Sequence, residues 1–573
     1  MKKLLSLLVM LIVLFSTVGG AFADFNPGTY TVEMQAHNGP ITVNVTFSAD
    51  RMEEITFDAN KESKQLGDIA IQMTVDEILS TQSLNVDTVA GATISSAVAR
   101  AAVSQAVKDA GGDPAAMQTE KPVDSSVLPD ENTQMLIIGG GAAGMAAAVE
   151  GADLGLDVLL VESLGILGGS SMRAGGIHGA ETSVQKQYGQ EYTKDMLYDF
   201  IAAELSDNLD PETLDLEYCK QAVTRWGGNI DWLVDMGVTF GEPYAGSPYH
   251  SDAGAERNGW RYIKAMREHM DEHGVDYRLN TRATSLIIED GAVKGAVMQA
   301  PNGTSYNVYA DSVVICTGGF LHNKELVAEY LPGFENGTTD VSIGCDGSGL
   351  LMALEAGAAV KAMDSAGMHG FACLHMGLSR SLTSPAHFGG IAVNAKGERF
   401  CNENASYADI TAAARAQDAC WMIMDDATFN TTSILTDISG NPDMYVIRDT
   451  LDELASELGI DPEGLKATAA RYGEFVRNGV DEDFAKEKIA LVGDFSKGPY
   501  YGVKTVIENH TSYGGLSIDN QARVLNEQGE PIEGLLAAGE VACFKTAGRC
   551  PLSETIDFGR IAARTVKAEI DAE

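Results

Sequence analysis

The sequence predicts an α/β protein with a smaller α+β domain towards its N-terminal end. Residues 134–176 read as a strand, a glycine turn, a helix and a second strand, the unit from which parallel sheets are built. Residues 29–57 alternate apolar and polar side chains, as short antiparallel strands do. Between the two patterns, residues 112–132 are rich in Gly, Pro, Ser and acidic residues, which predicts a linker.

The first residues are typical of an export signal. Two lysines precede an apolar run at residues 4–18, and small residues flank Phe22. The run is shorter than the ~20 residues of a membrane-spanning helix, which disfavours a membrane anchor. We therefore predict a signal peptide over residues 1–23, cut before Asp24, and a protein that is periplasmic or secreted.

Residues 24–111 form the predicted α+β domain. Turn residues at 38–40 and 48–50 divide the alternating segment into antiparallel strands. Apolar side chains then recur with helical spacing over residues 69–79 and 95–110, which predicts two helices.

The glycine turn after the first strand of the main domain predicts a dinucleotide site. Gly139, Gly141 and Gly144 are spaced so that the backbone turns tightly, approaches a pyrophosphate and packs the next helix on the sheet. The helix amides then face the phosphates. Glu162 closes the second strand (158–161), where an acidic side chain binds a ribose hydroxyl. The alternative, small residues in an ordinary βα turn, explains the glycines but not the acid.

Composition excludes some partners. The formal net charge is −41, so nucleic acid and anionic lipid surfaces should repel the protein. The eight cysteines include no CxxC, CxxCH or zinc-like spacing, which argues against haem, an iron–sulfur cluster or a metal site. Buried thiols are a better interpretation than a disulfide framework in a domain of this size.

Four further segments carry a family resemblance. Residues 168–176 (GGSSMRAGG), 313–320 (VVICTGGF), 344–347 (GCDG) and 534–540 (GLLAAGE) resemble the corresponding segments of the fumarate reductase and succinate dehydrogenase flavoproteins. The resemblance spans about residues 133–570, and is greatest to the exported branch that reduces fumarate, urocanate, acrylates and cinnamates.

The resemblance implies a Rossmann-like FAD-binding domain of the glutathione-reductase type, made of residues 133–364 and 509–573. An α+β clamp domain, residues 365–508, is inserted into it, and the substrate lies between the two. The residues expected to hold FAD without a covalent bond are Gly139, Gly141, Ala142, Ala143, Gly144, Glu162, Gly169, Ser170, Ser171, Ala174, Gly175, Gly176, Ala283, Thr317, Gly318, Asp346, Glu540, Thr555 and Ile556.

The N-terminal domain has its own resemblance. Residues 87–96 (DTVAGATISS) are similar to the motif of a small FMN-binding domain in which a flavin transferase attaches FMN to a threonine. By that match Thr93 carries covalent FMN, although Ala90 stands where the motif usually has serine or threonine. The plain alternative is a turn in which Thr93 or Ser95 caps the following helix.

The family also indicates the residues that bind the substrate. Arg549 matches the arginine that holds a substrate carboxylate through two hydrogen bonds. His510, in NHTSYGG, matches a substrate-binding histidine, and His369 lies near the expected position of a second one. A histidine that is only structural is the alternative for each.

The proton donor is where the chain departs from the family. Residues 390–403 follow the fumarate reductase pattern, but Tyr407 stands where the acidic arginine is expected. The relay glutamate and arginine fall near Thr383 and Ala386, so that relay is missing. A phenol has a reference pKa of ~10 and can act as a general acid.

Tyr407 may serve only in packing, however. The other candidates for the proton donor are Arg380, His387 and Arg415.

We therefore expect an exported ene-reductase that reduces an α,β-unsaturated monocarboxylate, such as an aryl acrylate or urocanate. Hydride would come from FAD, and FMN would relay electrons from a membrane-bound, quinol-linked or flavin donor. Two alternatives stay open: a reductase or dehydrogenase of enones such as ketosteroids, and an electron-transfer flavoprotein with no small-molecule substrate.

Overall fold

The computed structural model describes residues 25–36, 39–62, 66–86, 88–89, 92–118, 128–203, 214–243, 246–251, 259–375, 378–382, 386, 389–430, 444–546 and 548–572. The predicted signal peptide lies outside the described residues. The chain forms two compact units, Met1–Asp124 and Ser125–Glu573. No helix of the described part is long and apolar enough to cross a membrane.

The first unit is an antiparallel sheet covered by two helices. Its elements in chain order are β1 (Gly28–Gln35), β2 (Pro40–Phe47), β3 (Met52–Asp58), α1 (Gly67–Thr81) and α2 (Thr93–Asp109). This confirms the strands and helices predicted for this region.

Alternate residues of β2 form the core of this unit. Ile41, Val43 and Val45 are fully buried, in one cluster with Val103 of α2. Met117 belongs to the same core, so the unit continues beyond the predicted limit at residue 111.

The second unit contains longer lists of elements. Its strands are β4 (Glu131–Ile138), β5 (Val158–Val161), β6 (Ile177–His178), β7 (Tyr249–His250), β8 (Asp276–Arg278), β9 (Arg282–Glu289), β10 (Ala292–Gln299), β11 (Ser305–Ile315), β12 (Thr338–Thr339), β13 (Val360–Lys361), β14 (Ala366–His375), β15 (Leu378–Ser381), β16 (Ile391–Asn394), β17 (Cys420–Asp425), β18 (Val446–Arg448), β19 (Tyr500–Ser512), β20 (Gly515–Leu516), β21 (Arg523–Leu525) and β22 (Pro531–Ala537). Its helices are α3 (Ala142–Asp153), α4 (Ser183–Gln187), α5 (Lys194–Ala203), α6 (Leu216–Asp235), α7 (Gly259–Glu272), α8 (Lys324–Tyr330), α9 (Ser348–Glu355), α10 (Tyr407–Arg415), α11 (Asp426–Phe429), α12 (Leu451–Leu458), α13 (Pro462–Asn478) and α14 (Pro551–Ala572). Short 3₁₀ helices span Gly169–Arg173 and Lys488–Ala490.

The larger sheet has the strand order β21-β22-β11-β4-β5-β8. Strands β22, β11, β4, β5 and β8 run parallel, while β9 and β10 extend from β11 as antiparallel strands. After β4 the chain continues to β5 on one side, and β11 pairs on the other side. Such a reversal of strand order opens a crevice at the carboxyl ends of the strands, where α/β proteins bind their ligands.

The second sheet belongs to the predicted clamp. Its order is β15-β14-β19-β17-β16, and β12 and β18 also pair with the long strand β19. The predicted clamp limit at residue 508 falls inside β19, which ends at Ser512. The domain limits read from the sequence remain predictions.

Candidate functional site

A cavity of about 480 Å³ lies where the two sheets of the second unit meet. It begins at the carboxyl ends of β4, β5 and β11 and reaches β14, β19 and the start of α10. It is lined by most of the residues predicted to bind FAD: Gly139, Gly141, Ala142, Ala143, Glu162, Gly169, Ser170, Ser171, Ala174, Gly175, Gly176, Ala283, Thr317, Gly318, Glu540 and Thr555. Tyr407, His369 and His510 line the same cavity.

The glycine turn after β4 has the backbone that a dinucleotide requires. Gly139 has φ +110°, a conformation that other residues rarely adopt. A Cβ at Gly144 would lie 1.9 Å from the carbonyl oxygen of Gly139, so α3 can begin beneath the turn only if this residue is glycine. Gly144 therefore supports the turn from behind and does not itself line the cavity.

Glu162 is held at the end of β5 by backbone amides. Its carboxylate accepts hydrogen bonds from Gly140 N and Leu164 N, both at 2.7 Å. Burial nevertheless raises the pKa of Glu162. A fixed acceptor beside the glycine turn suits the ribose hydroxyl predicted for it.

Two predicted FAD residues lie behind the cavity wall. Asp346 accepts hydrogen bonds from Arg282 Nη2 at 2.5 Å and from Ser348 N at 3.0 Å, at the start of α9. Ile556 is fully buried in α14. Both support the walls and are not among the lining residues.

The cavity fits FAD. Glycines bring bare backbone to its floor, and the first residues of α3, Ala142 and Ala143, lie where helix amides can meet a pyrophosphate. The buried hydroxyl of Thr317 has no hydrogen-bond partner among the described residues, which leaves it available to a bound group.

Two histidines stand side by side at the clamp end. The rings of His369 on β14 and His510 on β19 stack with their centroids 4.0 Å apart. Glu508 lies opposite His369 in the strand register, and its Oε2 is 2.7 Å from His369 Nδ1. Asp340 follows β12, on the other side of β19, and its Oδ1 is 3.0 Å from His510 Nδ1. Each ring is thus backed by its own carboxylate.

The two rings have different proton affinities. Burial and the neighbouring charge of His510 lower the pKa of His369, although Glu508 acts against them. Enclosure also opposes a charge on His510, but the carboxylate of Asp340 outweighs it and raises its pKa. Burial would raise the pKa of Asp340, yet the charges of His510 and Arg173 hold it well below its usual range. The geometry therefore favours a charged His510 beside a neutral His369.

Tyr407 is positioned by the start of α10. Ser406 caps this helix by accepting a hydrogen bond from Asp409 N at 3.2 Å, so Tyr407 is its first residue. At Gly370, next to His369, a Cβ would lie 2.5 Å from Ile410 Cγ2 and 2.9 Å from the Ile410 carbonyl carbon. This glycine therefore lets α10 approach β14. As a result the Tyr407 ring lies edge-on to His369, with the centroids 4.8 Å apart.

Arg549 lies beside the cavity and is not among its lining residues. Its guanidinium carbon is 5.1 Å from the centre of the Phe200 ring. It is close enough to His178, a lining residue, to affect it: burial, with smaller contributions from His250 and Arg549, lowers the pKa of His178 to about 4.

The alternative proton donors are placed less favourably or are not described. Arg415, at the end of α10, has its guanidinium carbon 4.4 Å from the centre of the Phe334 ring and does not line the cavity. His387 and the side chain of Arg380 lie outside the described residues, as does Thr383. Ala386 is buried.

Comparison with known proteins agrees with this geometry. An FAD-binding domain model matches residues 134–554, and an FMN-binding domain model matches residues 37–108. The chain belongs to the fumarate reductase family of FAD-dependent flavoproteins. A solved structure of the open conformation of a flavocytochrome c3 fumarate reductase superimposes with a TM-score of 0.67, at 28% identity, over 79% of this chain and 83% of that one.

Two curated members of the family are similar over nearly the whole chain. A urocanate reductase of Eggerthella lenta is 29% identical over 96% of this chain and 94% of its own length. An NADH:acrylate oxidoreductase of Vibrio harveyi is 28% identical over 94% of this chain, which spans only 61% of that longer protein.

This flavoprotein has its second flavin domain in the first unit, where Thr93 is the first residue of α2 and is exposed. Asp87, Ala90 and Gly91 of the attachment motif lie outside the described residues. All eight cysteines are free and buried, as the sequence indicated.

Sequence reasoning missed several residues that shape the cavity of this flavoprotein. Asp340 and Glu508 hold the two histidines, while Arg173, His178 and Tyr249 line the walls. Glu508 could have been found from its spacing, because it lies two residues before His510 and so shares a face of the strand. Asp340 carries no comparable local signal.

Proposed function

We propose that this flavoprotein is an ene-reductase that reduces the C=C bond of an α,β-unsaturated monocarboxylate, such as an aryl acrylate or urocanate. One observation carries the proposal: Tyr407, His369 and His510 line the same cavity as the glycine turns that fit FAD. Relatives named for acrylate and urocanate reduction support the reaction class.

Reduced FAD, when bound, supplies the hydride. In the proposal the chain provides the proton, and Tyr407 gives it to the other alkene carbon. Its side chain is 40% exposed at the start of α10 and faces the cavity. Because the helix cap and Gly370 fix the backbone there, the hydroxyl has a defined approach to a substrate held against the histidines.

His510 and Arg549 hold the carboxylate in this proposal. His510, charged through its pairing with Asp340, offers a positive hydrogen-bond donor as negative charge builds on the conjugated carboxylate. Arg549 must turn from Phe200 towards His178 to reach the substrate. One guanidinium and one imidazolium suit a single carboxylate better than two.

The first unit is proposed to carry the incoming electrons. FMN would be attached to Thr93 by a flavin transferase, with its phosphate at the N-terminal end of α2, where helix amides favour negative charge. A membrane-bound donor would reduce it outside the cytoplasmic membrane after the signal peptide is removed. Mass spectrometry of the exported protein tests this directly, through the mass of bound FMN on the peptide containing Thr93.

A substrate panel with reduced viologen as electron donor tests the activity. We expect turnover of aryl acrylates and urocanate, and little turnover of fumarate. Turnover of enones alone would favour the steroid-like alternative, and no turnover of either class would favour an electron-transfer protein.

Arg549→Ala should raise KM for a carboxylate substrate about 10- to 100-fold, the effect of losing a charged hydrogen bond. Unchanged KM and kcat in this variant would remove Arg549 from the site.

A further inference from the structure

Glu508 and His369 form a buried pair whose position neither FAD binding nor the sheet requires. They face each other across β14 and β19, with 2.7 Å between Glu508 Oε2 and His369 Nδ1. Glu508 is fully buried and His369 is 6% exposed. A buried carboxylate is costly unless it is fully hydrogen-bonded or holds a proton.

The hydrogen bonding of Glu508 is incomplete. Its Oε1 is buried and has no hydrogen-bond partner among the described residues. The other carboxylate at this end of the cavity, Glu540, accepts bonds from both the amide and the hydroxyl of Ser512. The free oxygen gives Glu508 room for a proton that the geometry around Glu540 does not offer in the same way.

His369 connects Glu508 to the reaction cavity. Its Nδ1 meets Glu508, and its ring lies edge-on to Tyr407, with both side chains lining the cavity. An imidazole can take a proton at one nitrogen while it releases one from the other.

The charged surroundings favour a neutral, exchangeable ring. His510 is stacked on His369 from β19 and disfavours a second positive charge, while Glu508 and, more weakly, Asp340 favour one. Tyr407 faces the ring from α10. With burial the largest influence, the balance lowers the pKa of His369.

We propose that Glu508 and His369 store and deliver the proton that replaces the one lost by Tyr407 during turnover. This inference rests on the proposed function, since it requires Tyr407 to be the acid. It assigns Glu508 as a positioning and proton-storing residue that acts through His369.

The proton steps balance without any further reactant. The O–H bond of Tyr407 breaks as the C–H bond of the product forms. The phenolate then takes the proton from Nε2 of His369, and Nδ1 takes the proton of the Glu508 carboxyl group. After the product leaves, water in the cavity protonates Nε2, and Nδ1 returns its proton to Glu508. The store matters because a site closed around its substrate excludes water.

Glu403 is the competing source. A second cavity of about 10 Å³ is lined by Glu403, Tyr407 and His369. Burial alone would raise the pKa of Glu403, but Lys486 and Arg399 reverse this and lower it. A carboxylate held ionised by two cations is a poor proton donor.

Glu508→Gln is the decisive variant, because glutamine keeps the shape and a hydrogen bond but cannot carry the proton. We expect kcat on the best acrylate to fall about 10- to 100-fold with KM nearly unchanged. A small weak acid such as formate should restore part of the rate, and Glu508→Asp should retain more activity than Glu508→Gln. The exposed Glu533→Gln serves as the matched control and should behave as the wild type.

A second readout does not depend on turnover. Histidine NMR of the oxidised holoenzyme, with the His369 signal identified by its absence in His369→Gln, reports the pKa of this ring. Because Glu508 favours the charged ring, its replacement by glutamine should lower the pKa of His369 further.

Three results separate the possibilities. Full kcat in Glu508→Gln together with an inactive Tyr407→Phe would overturn the proton store and leave the proposed function intact. Full activity in Tyr407→Phe would overturn both. An unchanged His369 pKa in Glu508→Gln would also overturn the store, because the pair would then not be coupled.

Discussion

Two clusters of buried charge lie near the clamp sheet, and they are built differently. In the first, Glu403 accepts hydrogen bonds from Ala392 N and Arg399 and lies 3.3 Å from Lys486 Nζ, while Asp481 binds Arg399 at 3.0 Å. In the second, each carboxylate pairs with one histidine whose ring faces the cavity.

The difference separates a structural cluster from a functional one. The four groups of the first cluster contain two cations and two anions, all nearly fully buried. Their charges compensate one another, so the cluster holds the segments around Arg399 and Lys486 together and has no free group to offer. The histidine pairs have carboxylates that tune the rings and leave ring atoms towards the cavity, which is the pattern of reactive sites.

The largest expected effect on stability comes from breaking the first cluster. Glu403→Gln leaves Arg399 and Lys486 buried without compensation, and should lower the free energy of unfolding by about 3–5 kcal/mol. Glu508→Gln should cost about 1 kcal/mol or less, because Glu508 has a single hydrogen-bond partner among the described residues. Denaturant unfolding of both variants measures this difference, and equal losses would remove the distinction between the clusters.

A smaller effect is expected from the glycine that brings α10 to β14. The Cβ of Gly370→Ala would collide with Ile410, so α10 and Tyr407 should be displaced. We expect a loss of about 1–3 kcal/mol in unfolding free energy together with reduced kcat. Gly228→Ala is the control, since a Cβ there meets nothing within 4 Å on the exposed face of α6. Wild-type kcat in Gly370→Ala would show that α10 does not need this close approach.

The smallest expected effect is a shift of the pH profile. Asp340 raises the pKa of His510, so the charged ring persists to higher pH than an ordinary histidine with a pKa of about 6.5. In Asp340→Asn this support is lost, and the fall of kcat/KM at alkaline pH should move to lower pH by about one unit. A profile that does not move would mean that the charge on His510 is not needed for turnover.

The same pairing makes a stability contribution of defined sign. Since the pKa of His510 is raised on folding, its contribution is fully present below about pH 6.5 and disappears as the pH rises through the higher value of the folded protein. The lowered pKa of Asp340 contributes above about pH 4, and this is lost as the pH falls.

The sequence was sufficient for features that depend on neighbouring residues. The turn from Gly139 to Gly144, the acid at the end of β5 and the strands of the first unit are local patterns, and each is found where predicted. Tyr407 and His510 were also predicted as site residues, and both line the cavity.

The carboxylates behind the histidines could not be found in this way. Glu508 meets His369 only because β19 and β14 pair in one register across 139 residues, and Asp340 meets His510 across 170. Such a register is set by the packing of whole sheets and leaves no local pattern in the sequence. Arg549 shows the reverse case, since a clear motif predicted it and its side chain rests against Phe200 outside the lining of the cavity.

The central claim is that Tyr407 delivers the proton in the cavity that binds FAD. Mixing reduced Tyr407→Phe holoenzyme with an acrylate substrate, and following its reoxidation in a stopped-flow instrument, measures the chemical step alone. The account predicts a rate about 10²- to 10⁴-fold below that of the wild type, with similar substrate binding. Reoxidation at the wild-type rate would contradict it.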